Sequence, residues 1–232
     1  MVIVAISDTH EEHRRLAVPD GDVLIHAGDI THRGDLDALR DFDDWLGGLP
    51  HAHKIVIAGN HDWSFQTSPR EARATITNAK YLEDSGTVVG GLSVWGSPWQ
   101  PWFQDWAFNV RRGAAIRAKW DLIPANTDIL VTHGPPFGHG DLMAHGERVG
   151  CEELMMRLTE VKPLLHVCGH IHEGYGASPL GSSLLVNASS LDEHYDVLRP
   201  PIVVERAASG AMRLLSPAPN AGVTSRGNAG GR

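Results

Sequence analysis

Short runs of aliphatic and β-branched residues recur at 2–6, 23–26, 54–58, 128–132, 164–168 and 183–186. Each is nearly continuous in apolar character, which predicts strands buried on both faces. Runs at 87–89 and 92–95, joined by Gly90-Gly91, predict a hairpin. Runs at 202–205 and 212–215, around Ser209-Gly210, predict another. Between strands, Leu36, Leu39, Phe42, Trp45 and Leu46 follow helical spacing. Ser68-Pro69-Arg70-Glu71 combines a capping box with Pro at the first helical position, so a helix is expected there. Asn109 is expected to cap a helix running to about residue 121. A further helix is expected at 152–161, with acidic residues in its first turn and Pro163 beyond it. Strands alternating with helices indicate an α/β protein, and the hairpins make its sheets mixed. The segment 216–232 is rich in Ser, Pro, Ala, Asn and Gly and is read as a flexible tail, leaving one domain at 1–215.

Length and composition narrow the class. A chain of 232 residues with 42% hydrophobic content suits a globular protein with a real core. No apolar run approaches the roughly 18–20 residues of a spanning helix, so no membrane partner is expected. The opening MVIVAISDTH lacks a basic region and a small-residue cleavage site, and is read as a strand. Two cysteines cannot build a disulfide framework or a four-Cys zinc site, so the expected compartment is the cytosol. A formal charge of −8 disfavours long nucleic acid, whose binding needs Lys and Arg to replace counterions. Fourteen histidines in an acidic chain are what composition leaves unexplained.

Their placement is informative. The run 2–6 leads into Ser7-Asp8-Thr9-His10, and 23–26 into Ala27-Gly28-Asp29. The next leads into Ala58-Gly59-Asn60-His61-Asp62. The runs 128–132 and 164–168 lead into Thr132-His133-Gly134 and Gly169-His170-Ile171-His172. Ligands of open α/β sheets bind outside the carboxyl ends of strands, so distant fragments can converge there. In extended backbone residues i and i+2 point the same way, which pairs Asp8 with His10 and His170 with His172. Imidazole, carboxylate and amide oxygen together suit Mn, Fe or Zn, and the lack of thiolates argues against a structural zinc knot.

The series Asp-x-His, Gly-Asp, Gly-Asn-His-Asp, His-Gly and Gly-His-x-His resembles the calcineurin-like metallophosphoesterase superfamily, with every motif complete from Asp8 to His172. Gly96-Ser97-Pro98-Trp99, Trp106-Ala107-Phe108-Asn109 and His133-Gly134-Pro135-Pro136 resemble a narrower group, related to class III cyclic-nucleotide phosphodiesterases. The resemblance implies two mixed sheets sandwiched between helices, in four αββα layers. It implies two transition-metal ions: one on Asp8, His10, Asp29 and His172, the other on Asp29, Asn60, His133 and His170, with Asp29 bridging. It implies a metal-bridging hydroxide as nucleophile and His61 as the acid facing the leaving oxygen. Asp62 is expected to hydrogen-bond His61, and Asn60, His61 and His139 to meet substrate. Two divalent ions, two carboxylates and one hydroxide leave a local charge of about +1, which reconciles the acidic chain with a phosphate ligand. The expected activity is hydrolysis of small phosphate esters, diesters and cyclic nucleotides foremost. The alternatives are a monoesterase, a nuclease, or a metal-dependent nucleotide-binding protein with little turnover. Oligomer formation stays open.

Other signals have plainer readings. His10-Glu11-Glu12-His13 spaces its histidines at i, i+3 and fails the zincin pattern. His51-Ala52-His53 precedes a strand and is read as surface, His26 as a core residue, and His32 as a residue without a site role, a place just behind the ligands being the alternative. His145 shares the loop of His139. The tryptophans at 95, 99, 102 and 106 are read as loop packing, or as a wall for an aromatic group. Arg111 and Arg112 are read as solvated charges opening a helix. Cys168, in an apolar run, is read as inert.

Overall fold

The computed structural model describes residues 1–196 and 198–216. The first half lays down β1 (Val2–Ile6), β2 (Val23–His26), α1 (Leu36–Gly47), β3 (His53–Val56), α2 (Ser64–Thr67), α3 (Pro69–Thr75) and β4 (Lys80–Tyr81). Next come the hairpin β5 (Ser85–Val89) and β6 (Leu92–Ser97), and a short ribbon of β7 (Gln100–Pro101) and β8 (Asn109–Val110). α4 (Ala114–Trp120), β9 (Ile129–Thr132), α5 (Glu152–Val161) and β10 (Leu165–Cys168) follow. The described residues close with two hairpins, β11 (Gly176–Leu180) with β12 (Ser183–Asn187), and β13 (Ile202–Arg206) with β14 (Met212–Ser216).

Two six-stranded mixed sheets result, ordered β14-β13-β1-β2-β3-β4 and β11-β12-β10-β9-β6-β5. β1 is parallel to β2 and antiparallel to β13; β10 is parallel to both β9 and β12. Side-chain alternation sorts each strand between two cores. Ile3, Ala5, Val23, Ile25 and Ile55 join Ile129, Val131, Leu165 and Val167 between the sheets. Val4, Ile6, Leu24 and Val56 face the opposite way, onto Leu39, Phe42 and Leu46 of α1 and Ala72 of α3. Leu130, Cys168 and Leu185 pack on Ile116 and Trp120 of α4 and Leu154 and Leu158 of α5. The layers are therefore helix, sheet, sheet, helix. Burial on both faces explains why the strands read as continuous apolar runs.

Local chemistry sets the element ends. Asp35 caps α1 by accepting from the N–H groups of Asp37 and Ala38. Gly90 and Gly91 take φ of 56° and 79°, the two positive values a tight hairpin turn needs. α3 starts at Pro69 as expected, but Ser68 makes no side-chain cap. The helix expected from Asn109 begins only at Ala114, because Gly113, at φ 81°, turns the chain out of helical conformation. Asn109 instead sits in β8, and its side chain clamps the 103–104 backbone, donating to the carbonyls of Phe103 and Gln104. Of the segment read as a flexible tail, Ser216 ends β14, and 217–232 lie outside the described residues.

Candidate metal centre

The loops leaving β1, β2, β3, β9 and β10 converge at one end of the two sheets. Asp29 Oδ2 lies 3.4 Å from His133 Nε2, 3.7 Å from His10 Nε2 and 4.0 Å from His61 Nε2. Asp8 Oδ1 lies 3.6 Å from His172 Nε2. Asn60 Oδ1 lies 2.9 Å from His133 Nε2. Three groups bring ligand atoms close enough to hold an ion: Asp8 with His10 and His172, His10 with Asp29 and His61, and Asp29 with His133 and His170.

The surrounding backbone orients these rings. His133 donates Nδ1–H to the Ala27 carbonyl at 2.9 Å, His172 to that of Asp192 at 2.8 Å, and His61 to that of His32 at 2.8 Å. A carbonyl accepts only from a protonated nitrogen, so each ring turns Nε2 toward the carboxylates. Asp8 is steadied by the His170 backbone N–H at 3.0 Å and the Ser189 hydroxyl at 2.9 Å. Asp8, His10, Asp29 and His170 all adopt left-handed backbone, with φ between 40° and 67°. Such conformations cost roughly 1–3 kcal/mol each and gather where surrounding structure fixes a functional geometry.

The donor set fits a cation. His10 is fully buried, yet neither ring nitrogen has a hydrogen-bond partner. A buried polar atom without a partner is costly, and a cation beside Asp29 satisfies it. Electrostatics agree. Burial works to raise Asp29, but His133 and His61 outweigh it and hold its carboxyl well below the usual range. Burial works against a proton on His133, but Asp29 lifts that ring to about 9. Burial depresses His10 to about 4, against the pull of Asp29 and Asp8. Burial, with His133 nearby, depresses His170 to about 3. A divalent ion competes for the same nitrogens by replacing protons with a larger charge.

Beside the cluster opens a cavity of about 690 Å³. Asp29, Asn60, His61, His170 and His172 form its floor, Trp102, Phe103 and Trp106 one wall, and Tyr195 another part of the lining. Trp102 and Phe103 are each 59% exposed. Arg112 is the only Lys or Arg among the described lining residues, beside Glu147, Glu173 and Glu193. Its guanidinium donates to the carbonyls of Gly150 and Val149, tying down the loop after β9.

The structure thus brings Asp8, His10, Asp29, Asn60, His61, His133, His170 and His172 together. It does not bring Asp62 to His61. The Asp62 carboxylate accepts instead from the backbone of Gly59, Ile30 and Thr31 and from the Thr31 hydroxyl. Burial and nearby Asp29 push it up to about 6, against those three N–H donors. Asp62 therefore shapes the loop instead of tuning its neighbour. His145, and not His139, lines the cavity. The tryptophans divide: Trp95 and Trp99 pack against the α4–α5 core, while Trp102 and Trp106 face the cavity. His51, expected at the surface, is buried, though at the strand end away from the cluster. His26 is a satisfied core histidine: Gly28 N–H donates to Nδ1, and Nε2 meets the Thr9 hydroxyl. Arg111 and Arg112 precede α4 instead of opening it. Tyr195 escaped sequence reasoning. Its ring meets that of His10 edge-on and that of His172 at a tilt, with centroids 4.7 and 5.2 Å away, from a loop with no motif.

Paired mixed sheets with histidines and aspartates at converging strand ends define a metallophosphoesterase. The family model described as calcineurin-like phosphoesterase matches residues 1–174, and the chain belongs to that family. Metallophosphoesterase domain-containing protein 1 of Homo sapiens is 43% identical over 227 residues, covering 87% of this chain and 70% of that protein. The UPF0046 protein T07D4.2 of Caenorhabditis elegans is 37% identical over 233 residues, covering 87% of this chain and 59% of that protein. One crystal structure superposes with a TM-score of 0.68 at 16% identity, over 92% of this chain and 97% of that one. Among the described residues no helix is long and apolar enough to cross a membrane.

Proposed function

We propose that this phosphoesterase is a dimetal phosphodiesterase acting on small esters, cyclic nucleotides among them, and that residues 1–215 form its one domain. Asp8, His10, Asp29 and His172 hold one ion; Asn60, His133, His170 and the shared Asp29 hold the other. The nitrogen and oxygen donors suit Mn, Fe or Zn. When bound, such a pair lowers the pKa of water toward about 7 and clamps the phosphate oxygens. His61 serves the leaving group: its Nδ1–H is committed to the His32 carbonyl, so Nε2 is the atom that carries a proton to the departing oxygen. Asn60 and His61 line the floor where the ester sits, and Trp102 and Phe103 offer exposed rings for a nucleobase or aryl group. Two buried cysteines left free support a reducing, cytosolic setting.

The observation that carries the diester reading is the charge of the cavity lining. Its single guanidinium is committed to loop carbonyls, and three glutamates stand beside it. A monoester at neutral pH brings nearly two negative charges, a diester only one, and among the described residues no other Lys or Arg lines the cavity to meet the second. Long nucleic acid is disfavoured for the same reason. The test is kcat/KM for bis-(p-nitrophenyl) phosphate, cyclic nucleotides and p-nitrophenyl phosphate, on protein of measured metal content. A preference for diesters is expected; a preference for the monoester overturns the reading.

A further inference from the structure

His61 is held by more than its hydrogen bond. Its ring stacks on the indole of Trp106, with centroids 4.1 Å apart and planes 26° from parallel. The ring of His10 meets it near a right angle at 4.6 Å. The Arg33 guanidinium lies over the same indole, 5.4 Å from its centroid, and makes no ion pair among the described residues. One hydrogen bond leaves an imidazole free to rock about the Nδ1···O line, and a stacked plane removes that freedom. The stack also occupies a face of Trp106, so that face is not available to a substrate ring. Trp102 and Phe103, being exposed, are.

We propose that Trp106 is a positioning residue for His61, fixing its ring so that Nε2 points at the leaving oxygen. The proposal rests on the reading of His61 as the acid. As a water-derived oxygen bonds to phosphorus and the bond from phosphorus to the leaving oxygen breaks, the leaving oxygen keeps the electron pair and takes the Nε2 proton, leaving a neutral ring that keeps Nδ1–H. A basic leaving group depends on this transfer, whereas nitrophenolate departs readily without it. Misplacing a catalytic group by about 1 Å can cost on the order of 100-fold in rate.

The experiment compares the wild type, Trp106→Leu, Trp106→Phe and His61→Ala on diphenyl phosphate and bis-(p-nitrophenyl) phosphate, with metal content measured for each. Trp106→Leu should lower kcat for diphenyl phosphate roughly 10- to 100-fold and for the nitrophenyl ester several-fold less. KM should change little, and Trp106→Phe should recover most of the loss. In wild-type NMR spectra the His61 ring protons should carry an upfield ring-current shift that Trp106→Leu abolishes. If His61→Ala loses activity more steeply with the poorer leaving group and Trp106→Leu loses both substrates equally, the positioning role is overturned while the acid survives. If His61→Ala itself shows no leaving-group dependence, the acid reading fails, and this proposal with it. If Trp106→Leu does not fold, Trp106→Phe decides: loss of leaving-group selectivity with an intact ring-current shift refutes the proposal.

Discussion

The backbone N–H of His61 donates to Oδ1 of Asp29 at 2.8 Å, while the ring Nε2 of the same residue faces Oδ2 at 4.0 Å. One carboxylate thus fixes the main chain of the loop after β3 and turns its other oxygen toward three imidazoles. Asp29 couples the ligand cluster to the residue assigned to the leaving group.

Asp29→Ala should therefore lose metal from both sites at once, not from one. Elemental analysis should give well under one ion per chain, against about two for the wild type. Full occupancy in the variant would remove Asp29 from the bridging position.

Gly59 lies against that carboxylate. A Cβ there would stand 2.5 Å from the Asp29 backbone nitrogen and 2.6 Å from His133 Cε1. Neither atom belongs to a flexible chain end, so the contact cannot relax cheaply. Gly59→Ala should fold with lowered stability, about 1–3 kcal/mol by denaturant titration, and should bind metal more weakly. Unchanged metal affinity would show that the loop yields without moving the cluster.

Trp102, exposed at the cavity wall and outside the His61 stack, should act on binding. Trp102→Ala should raise KM several-fold for substrates with a nucleobase or aryl group and leave kcat nearly unchanged. Equal KM values for the two proteins would exclude the wall from recognition.

His166 sets an acid limit that has nothing to do with catalysis. The Thr132 hydroxyl donates to the Gly134 carbonyl, so His166 must donate Nε2–H to Thr132, and its Nδ1 is buried without a partner. Burial lowers its pKa from 6.5 to about 3. The unfolded chain binds this proton below about pH 6.5 and the folded chain does not until about pH 3. Stability therefore falls as pH drops through that window, by about 1.4 kcal/mol per unit. In metal-free protein, the stability difference between pH 7 and pH 5 should shrink by about 2 kcal/mol in His166→Leu. An unchanged difference would mean that His166 protonates freely in the fold.

The sequence was most legible where one physical rule governed a whole segment. Continuous apolar runs marked strands buried on both faces, and α5 appears at Glu152–Val161 as its acidic first turn and Pro163 implied. The cluster residues were legible because strand-end glycines and short spacings expose them. What escaped lacked such a rule. β11 contains Gly176 and Pro179, and β4 spans two residues, so neither carries a strand pattern. The failed start of α4 shows Gly113 overriding a good capping residue at Asn109. Asp62 was misplaced because adjacency in sequence says nothing of direction. Tyr195, the carbonyls of His32 and Asp192, and the stack of Trp106 on His61 are products of tertiary geometry alone.

The strands beyond residue 174 carry a consequence for where this protein can be cut. β12 pairs with β10 and β13 with β1, so an inner strand of each sheet takes a neighbour from outside the stretch that the family model matches. Ser189, also outside it, donates its hydroxyl to Asp8. A fragment ending at 174 would keep every proposed ligand, yet bare the edges of two apolar strands and unlatch one of the carboxylates. The family-model stretch is thus shorter than the unit whose strands pair and whose side chains support the cluster, and only the longer one can be expected to hold its ions.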